Sequence, residues 1–106
     1  MAWKRSSFHE VGLLVWQAHA GPDWHSCELG EDLILDVAES ELNATDIESM
    51  LGLLEGNRKR GSSLVFRINE NQLPLFGDDE WPIAPSLQEA YDVLEMERIE
   101  RALQNP

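Results

Sequence analysis

The chain has one cysteine, few basic residues and no long hydrophobic run. Because Cys27 is the only cysteine among 106 residues, we expect no internal disulfide and a reducing, cytoplasmic setting. No stretch reaches the roughly 18 apolar residues that a membrane-spanning helix needs, so no membrane association is expected. Residues 1–20 have the outline of a secretory signal, with basic residues at 4 and 5 and an apolar run at 11–16, but His9 and Glu10 lie where its hydrophobic region would begin.

Lysine and arginine are scarce relative to the acids. Eight Lys and Arg face twenty Asp and Glu, which gives a formal net charge of −12. Such a surface repels phosphate backbones and anionic lipids, so we expect no direct binding to nucleic acid or to a membrane surface. It suits a protein that meets a basic partner or imitates a polyanion. The alternative is that the acidity serves solubility alone.

Patterns of catalytic and metal-binding residues are also missing. The sequence has no glycine-rich phosphate loop and no nucleophile elbow. His25 and Cys27 lack the spacing of a zinc site. The contiguous carboxylates of Asp78, Asp79 and Glu80 are typical of a solvated turn rather than of a cation site. We therefore expect a protein that is not an enzyme and that holds no metal or cofactor.

The apolar patterning predicts one α+β domain over residues 1–106. After a polar start at residues 1–7, Val11–Trp16 and residues 24–29 are predicted to form a hairpin, with a turn at residues 21–23. Residues 33–37 add a third strand in an antiparallel meander, and residues 64–69 show the clearest alternation. The predicted fold is a small antiparallel sheet of three to four strands packed against two helices.

The two helices are predicted from their caps. Thr45 with Glu48 forms a capping-box pattern for the first helix, and Gly56 is a typical terminator. Ser86 with Glu89 begins the second helix, which is predicted to run to about Gln104. Its predicted buried stripe consists of Leu87, Ala90, Tyr91, Leu94, Ile99, Ala102 and Leu103.

One apolar pentapeptide stands between polar flanks, at residues 72–76. Pro74 fixes its own φ and favours an extended residue before it, so the segment loses less entropy when it docks on a partner. Leu73, Leu75 and Phe76 offer apolar anchors, and the Gln72 amide offers both a donor and an acceptor. The alternative is a loop whose apolar side chains are buried in its own domain.

The sequence Gln72-Leu73-Pro74-Leu75-Phe76 resembles the linear motif by which bacterial DNA polymerases, mismatch-repair proteins and replication regulators dock on the sliding clamp. Four of its five positions match the preferred Gln-Leu-Ser/Asp-Leu-Phe. The resemblance implies that Gln72 occupies a polar sub-pocket of the clamp groove. It also implies that Leu75 and Phe76 fill an apolar one, with Leu73 packed between them.

These patterns lead to two functional hypotheses. The first is a small acidic adaptor or inhibitor that binds a protein partner, such as a sliding clamp, through Gln72, Leu73, Leu75, Phe76, Asp78, Asp79, Glu80 and Trp81. The second is an acidic inhibitor that blocks a basic site on a target protein. An immunity protein, an antitoxin or a phage-encoded mimic of nucleic acid would fit the second hypothesis.

Overall fold

A computed structural model describes residues 3–18, 21–26, 31–77 and 80–104. Within these ranges, five strands form a single sheet with the spatial order of the sequence, and two α-helices pack on it. The mixed α and β composition and the two helices confirm the coarse prediction. The elements are β1 (Trp3–Phe8), β2 (Val11–Trp16), β3 (Leu33–Asp36), α1 (Ala44–Lys59), β4 (Leu64–Arg67), β5 (Ile83–Ala84), α2 (Leu87–Gln104) and the 3₁₀ segments Trp24–Ser26 and Glu70–Phe76.

The only antiparallel pair among these strands is the hairpin of β1 and β2, from Trp3 opposite Trp16 to Phe8 opposite Val11. Its two-residue turn has φ of 49° at His9 and 69° at Glu10, which suits the right-handed twist of a hairpin. The prediction of a polar, frayed start at residues 1–7 is therefore wrong for residues 3–7, which belong to β1, while residues 1 and 2 lie outside the described ranges. β1 is an edge strand with mostly exposed polar residues, and such a strand carries no apolar alternation to detect.

The prediction of a strand at residues 24–29 is also wrong for residues 24–26, the part of it that the structure describes. Trp24–Ser26 is a single 3₁₀ turn, and residues 27–30 lie outside the described ranges. Trp24 is buried, and its indole Nε1 donates a hydrogen bond to Asp46 at 2.9 Å. The aromatic side chain thus anchors a loop to α1 instead of forming part of the sheet.

From β2 to β5 the sheet is parallel, so the predicted antiparallel meander is wrong. β2 pairs with β3, β3 with β4 and β4 with β5, all in the same direction. The physical reason is that helices or turns cover both faces of these strands. Successive residues in β3 and β4 are fully buried, and a strand buried on both sides has a continuous apolar run rather than an alternating one.

Two apolar cores lie on the two faces of the sheet. On one face Leu35 and Phe66 pack with Met50 of α1 and with Phe76. On the other face Ile34, Val65 and Ala84 pack with two residues of α2, Ala90 and Leu94. Since successive strand residues point to opposite faces, α1 and the Glu70–Phe76 segment lie opposite α2. None of the described helices is long and apolar enough to cross a membrane.

Both ends of α1 differ from the prediction. Its N-cap is Asn43, not Thr45: the Asn43 side chain accepts from the Asp46 backbone N–H at 3.0 Å, and the Asp46 carboxylate accepts from the Asn43 N–H at 2.9 Å. The helix continues through Gly56 to Lys59. The glycine with positive φ after the helix is Gly61, at 76°.

Candidate protein-binding surface

The chain segments that follow β3 and β4 lie side by side at the end of the sheet where the parallel strands finish, here called the carboxyl edge. The first segment is residues 37–43 and the second begins at Ile68. The second segment contains residues 72–76, which the sequence predicts to bind a partner. The candidate site is therefore built from these two segments.

The second segment begins with a closed reciprocal hydrogen-bond pair. The Asn69 side chain accepts from the Gln72 backbone N–H at 3.0 Å, and the Gln72 side-chain oxygen accepts from the Asn69 N–H at 2.8 Å. This capping box satisfies the backbone N–H groups at the start of residues 70–76, which form a 3₁₀ helix. We call Glu70–Phe76 the edge turn.

Gln72 also fastens the edge turn to the neighbouring segment. Its side-chain nitrogen donates to the carbonyl oxygens of Val37 at 2.8 Å and Ser40 at 2.7 Å. The Asn69 side chain donates to the carbonyl oxygen of Ala38. Only 4% of Gln72 is exposed, so its amide serves the fold, whereas the sequence pattern assigned it to a partner's pocket.

At the other end of the edge turn, Phe76 enters the core and is 3% exposed. Its ring contacts Trp81 edge-on, with 5.1 Å between centroids, and Trp81 in turn contacts Phe66 at 6.3 Å. Trp81 is half-buried. Phe76 and Trp81, both expected to bind a partner, thus form part of the domain's own aromatic packing.

Between these two anchors, Leu73, Pro74 and Leu75 face solvent; we call them the leucine ridge. Leu73 is 53% exposed and Leu75 is 41% exposed. The predicted partner-binding residues are therefore divided, because Gln72 and Phe76 are buried whereas Leu73, Leu75 and Glu80 are exposed. Asp78 and Asp79 lie outside the described residues.

Hollows lie on both sides of the leucine ridge. Leu73 borders one of about 230 Å³ that is mainly apolar, with walls from Ile68, Ile83 and Pro85. Leu75 borders one of about 540 Å³ whose other walls are residues 38–42, Asn69, Asn71 and Gln72. A partner side chain that reaches past either leucine finds a shaped recess instead of a flat surface.

The rim of this surface is acidic. Glu39 and Glu41 line the larger hollow, Glu70 lines the smaller one, and all three are exposed, as is Glu80. Arg67 at the end of β4 is held within the domain, since it forms an ion pair of 3.0 Å with buried Asp36 and donates to the Pro85 carbonyl oxygen. The surface thus combines exposed leucines with carboxylates.

The opposite end of the parallel strands, here called the amino edge, has a different arrangement. Asp32 accepts from the Ser63 backbone N–H at 2.7 Å, from Arg98 at 2.7 Å and from Arg101 at 3.3 Å. Burial raises the pKa of Asp32, but these donors and positive charges outweigh it and leave the pKa below its ordinary value. This network ties α2 to the sheet beside an open cleft of about 720 Å³.

Local sequence patterns do not reveal the amino-edge network. Asp32, Arg98 and Arg101 are not among the residues that the sequence patterns single out. The available signal is the acidic pair Glu31 and Asp32 just before a buried strand, together with two arginines three residues apart on α2. Residues at that spacing lie on the same side of a helix.

Chemically, the carboxyl edge offers apolar contact, a rigid turn and negative charge. Among the described residues, no group of three His, Cys, Asp or Glu side chains is placed to hold a metal ion. Comparison with protein-family models, with curated proteins and with solved structures finds no match for the chain. The functional argument therefore depends on the residues and geometry of this chain.

Proposed function

We propose that the protein is a small acidic adaptor or inhibitor that binds a protein partner through the leucine ridge. The observation that carries the proposal is the exposure of Leu73 and Leu75, two residues apart on a turn whose two ends are fixed in the domain. Exposed large apolar side chains next to recesses mark interaction sites on small soluble proteins. The leucine ridge is therefore the contact surface.

The edge turn prepares the leucine ridge for binding. Its capping box and the Gln72 bonds to the neighbouring segment hold the backbone in one conformation. A preformed surface loses little conformational entropy on association. Each leucine, already partly covered, adds about 1 kcal/mol when a partner removes the remaining surface from water.

The acidic rim selects the partner. Carboxylates of Glu39, Glu41 and Glu70 surround the leucines, and the chain carries a net charge of −12. Negative potential accelerates encounter with a basic protein and disfavours acidic ones. The expected partner surface has an apolar recess for the leucines and Lys or Arg around it.

Docking on a sliding clamp through all five residues requires a different state of the edge turn. Gln72 and Phe76 would have to leave the positions in which they are buried. The leucine ridge, by contrast, is accessible in the folded domain. The geometry therefore favours a partner that recognises the folded turn over one that takes up residues 72–76 as an extended peptide.

Asn69→Ala separates these two modes, because it removes the N-cap of the edge turn and leaves residues 72–76 unchanged. Purified bacterial sliding clamp is titrated with the wild-type protein and with this variant. Recognition of an extended peptide predicts tighter binding by Asn69→Ala, since the turn opens more easily. If Asn69→Ala binds the clamp more tightly than wild type, the protein binds through an extended peptide and not through the folded leucine ridge. Recognition of the folded turn predicts that Asn69→Ala binds more weakly or not at all.

The direct experiment is affinity capture with quantitative mass spectrometry. The wild-type protein is compared with the double variant Leu73→Ser, Leu75→Ser. The matched control is Leu51→Ser, which removes an apolar side chain of 43% exposure from α1. A protein that the wild type and the control retain but the double variant loses supports the proposal, and equal recovery on all three contradicts it.

The second function, an acidic inhibitor that imitates a polyanion, is supported by the exposed carboxylates on both helices, Glu48, Glu55, Glu89, Asp92 and Glu100. It predicts affinity for the captured partner that falls steeply with salt. The leucine ridge predicts a shallower dependence, because part of its binding energy is apolar. A steep dependence combined with full binding by the double variant favours the polyanion mimic.

A further inference from the structure

The outward side of α2 carries a second apolar surface. Met96 is 63% exposed, Ile99 58% and Leu103 78%. They are three and four residues apart, so they lie on one side of the helix over about 10 Å. We call them the outer stripe. The prediction that Ile99, Ala102 and Leu103 are buried is wrong, because Ala90 and Leu94 already fill the sheet-facing side.

The charged residues of α2 are divided between its two sides. Glu89, Asp92 and Glu100 are exposed next to or within the outer stripe. The two basic residues of the helix, Arg98 and Arg101, bond to Asp32 at the amino edge. The outer side of α2 is thus apolar and acidic, with its positive charges held on the inner side.

This charge pattern selects among possible occupants. A second copy of the chain would place the same carboxylates against one another, and like charges across a helix pair are destabilising. An anionic lipid surface is repelled for the same reason. A helix with an apolar stripe bordered by lysine or arginine complements both the apolar side chains and the carboxylates of this surface. In helix pairing, apolar positions form the contact and the flanking charges determine which partner binds.

We propose that the outer stripe is a docking site for a basic amphipathic helix of a partner protein. The site is separate from the leucine ridge. α2 begins just after β5 at the carboxyl edge, and Arg98 and Arg101 in its last two turns reach Asp32 at the amino edge. The outer stripe therefore lies toward the opposite end of the sheet from Leu73 and Leu75, and each surface can be occupied or removed independently.

The test uses a fluorescent synthetic helix of about 18 residues, five turns long, with leucine at the seam positions and lysine at the flanking positions. Its counterpart carries glutamate instead of lysine. Anisotropy titration of the full-length protein should show binding of the lysine peptide. The glutamate peptide should bind at least about tenfold more weakly, because it meets the carboxylates beside the outer stripe.

Variants locate the binding. Ile99→Ser with Leu103→Ser should weaken the lysine peptide about tenfold or more, as expected for loss of central apolar contacts. Leu51→Ser and Leu73→Ser remove exposed leucines elsewhere and should leave it unchanged. Asp92→Lys keeps the apolar stripe but reverses one bordering charge, so it should also weaken binding. Circular dichroism of each variant checks that the fold is retained.

Three results would overturn the proposal. One is equal binding of the lysine peptide by the wild type and the Ile99→Ser, Leu103→Ser variant. Another is loss of the peptide from Leu73→Ser, which would place the peptide on the leucine ridge. The last is a wild-type dimer in sedimentation at the titration concentration that Ile99→Ser converts to monomer, which would make the outer stripe a self-interface.

Discussion

At the amino edge of the parallel strands, one carboxylate, Asp32, gathers a backbone N–H and two guanidinium groups. At the carboxyl edge, two neutral amides, Asn69 and Gln72, perform the same fastening task. The first arrangement uses basic residues of a chain that has few. The second leaves the carboxylates of its rim exposed. The carboxyl edge therefore combines exposed carboxylates with two exposed leucines.

In both regions the side chains that fasten the fold are distinct from those that remain exposed. Within the edge turn, the first and last side chains of the pentapeptide, Gln72 and Phe76, are buried, while Leu73 and Leu75 between them are exposed. Fixed ends hold the exposed pair in place. The predictions below test this division at both edges, from the largest expected effect to the smallest.

Phe76→Ala should have the largest effect. It empties a buried aromatic site beside Trp81 and Phe66, and such substitutions destabilise a protein by about 3 kcal/mol or more. Urea unfolding followed by tryptophan fluorescence measures the change. Leu75→Ala, two residues away but exposed, should lower stability by less than about 1 kcal/mol. Similar losses of stability for both variants would contradict the division of the edge turn into fixed ends and an exposed centre.

Gln72→Leu should come next. The leucine has a similar volume but removes the side-chain donor of both carbonyl oxygens. That of Val37 keeps the Ser40 backbone N–H at 3.2 Å, whereas that of Ser40 loses the Gln72 amide. A buried polar group without a partner lowers stability by about 1–3 kcal/mol. Chemical denaturation should show that loss, whereas Asn71→Ala, an exposed neighbour, should stay within about 0.5 kcal/mol of wild type. A neutral result for Gln72→Leu would mean that the two segments are held together by other contacts.

Asp32→Asn tests the amino edge. It should lower stability at neutral pH by about 1–2 kcal/mol, because hydrogen bonds to a charged acceptor are replaced by weaker ones. Since the pKa of Asp32 is lowered from its ordinary value of 3.8 in the folded state, its stabilisation is present above that value and disappears as the pH falls through the folded pKa.

Unfolding measured at several pH values checks this dependence. Wild type and Asp32→Asn should differ most near neutral pH and converge in acid, below the folded pKa of Asp32. A constant difference between the two proteins across the whole pH range would contradict the assigned role of the carboxylate charge.

Glu97→Gln should have the smallest effect and the opposite sign. Burial raises the pKa of Glu97 above its ordinary value of 4.5, although the charges of Arg58 and Arg101 act against this. The ionised form is therefore disfavoured by folding, and the neutral amide should stabilise the protein slightly at neutral pH. The gain should vanish as the pH falls below the unfolded pKa. Thermal unfolding at neutral and acidic pH measures it, and destabilisation at neutral pH would contradict the assignment.

The sequence allowed the helices to be located but not the direction of the strands. Apolar spacing and polar caps placed α1 and α2 to within a few residues, although Asn43 rather than Thr45 caps α1. Strand direction depends on which segments become neighbours, and the antiparallel prediction followed from short intervening turns. The near-continuous apolar runs of β3 and β4 were the available sign of strands covered on both faces.

The sequence singles out residues 72–76 but does not indicate which of them are buried. Residues 72–76 are identified from their apolar character, whereas the burial of Gln72 depends on a segment more than 30 residues earlier in the chain, at Val37 and Ser40. No local pattern reports such a contact. The asparagine three residues before Gln72 is the one local signal, because Asn69 is a favourable N-cap. The second apolar side of α2 was likewise read as part of a single buried stripe.

The division of side chains within the edge turn is tested most directly by solvent accessibility in solution. NMR relaxation with a soluble gadolinium chelate measures how closely the probe approaches each side chain of the folded protein. The methyl groups of Leu73 and Leu75 should relax strongly, while the Gln72 side-chain amide and the Phe76 ring should be protected like the buried methyl groups of Leu35. Strong relaxation of Gln72 and Phe76, equal to that of the two leucines, would show an open turn and contradict the proposed division.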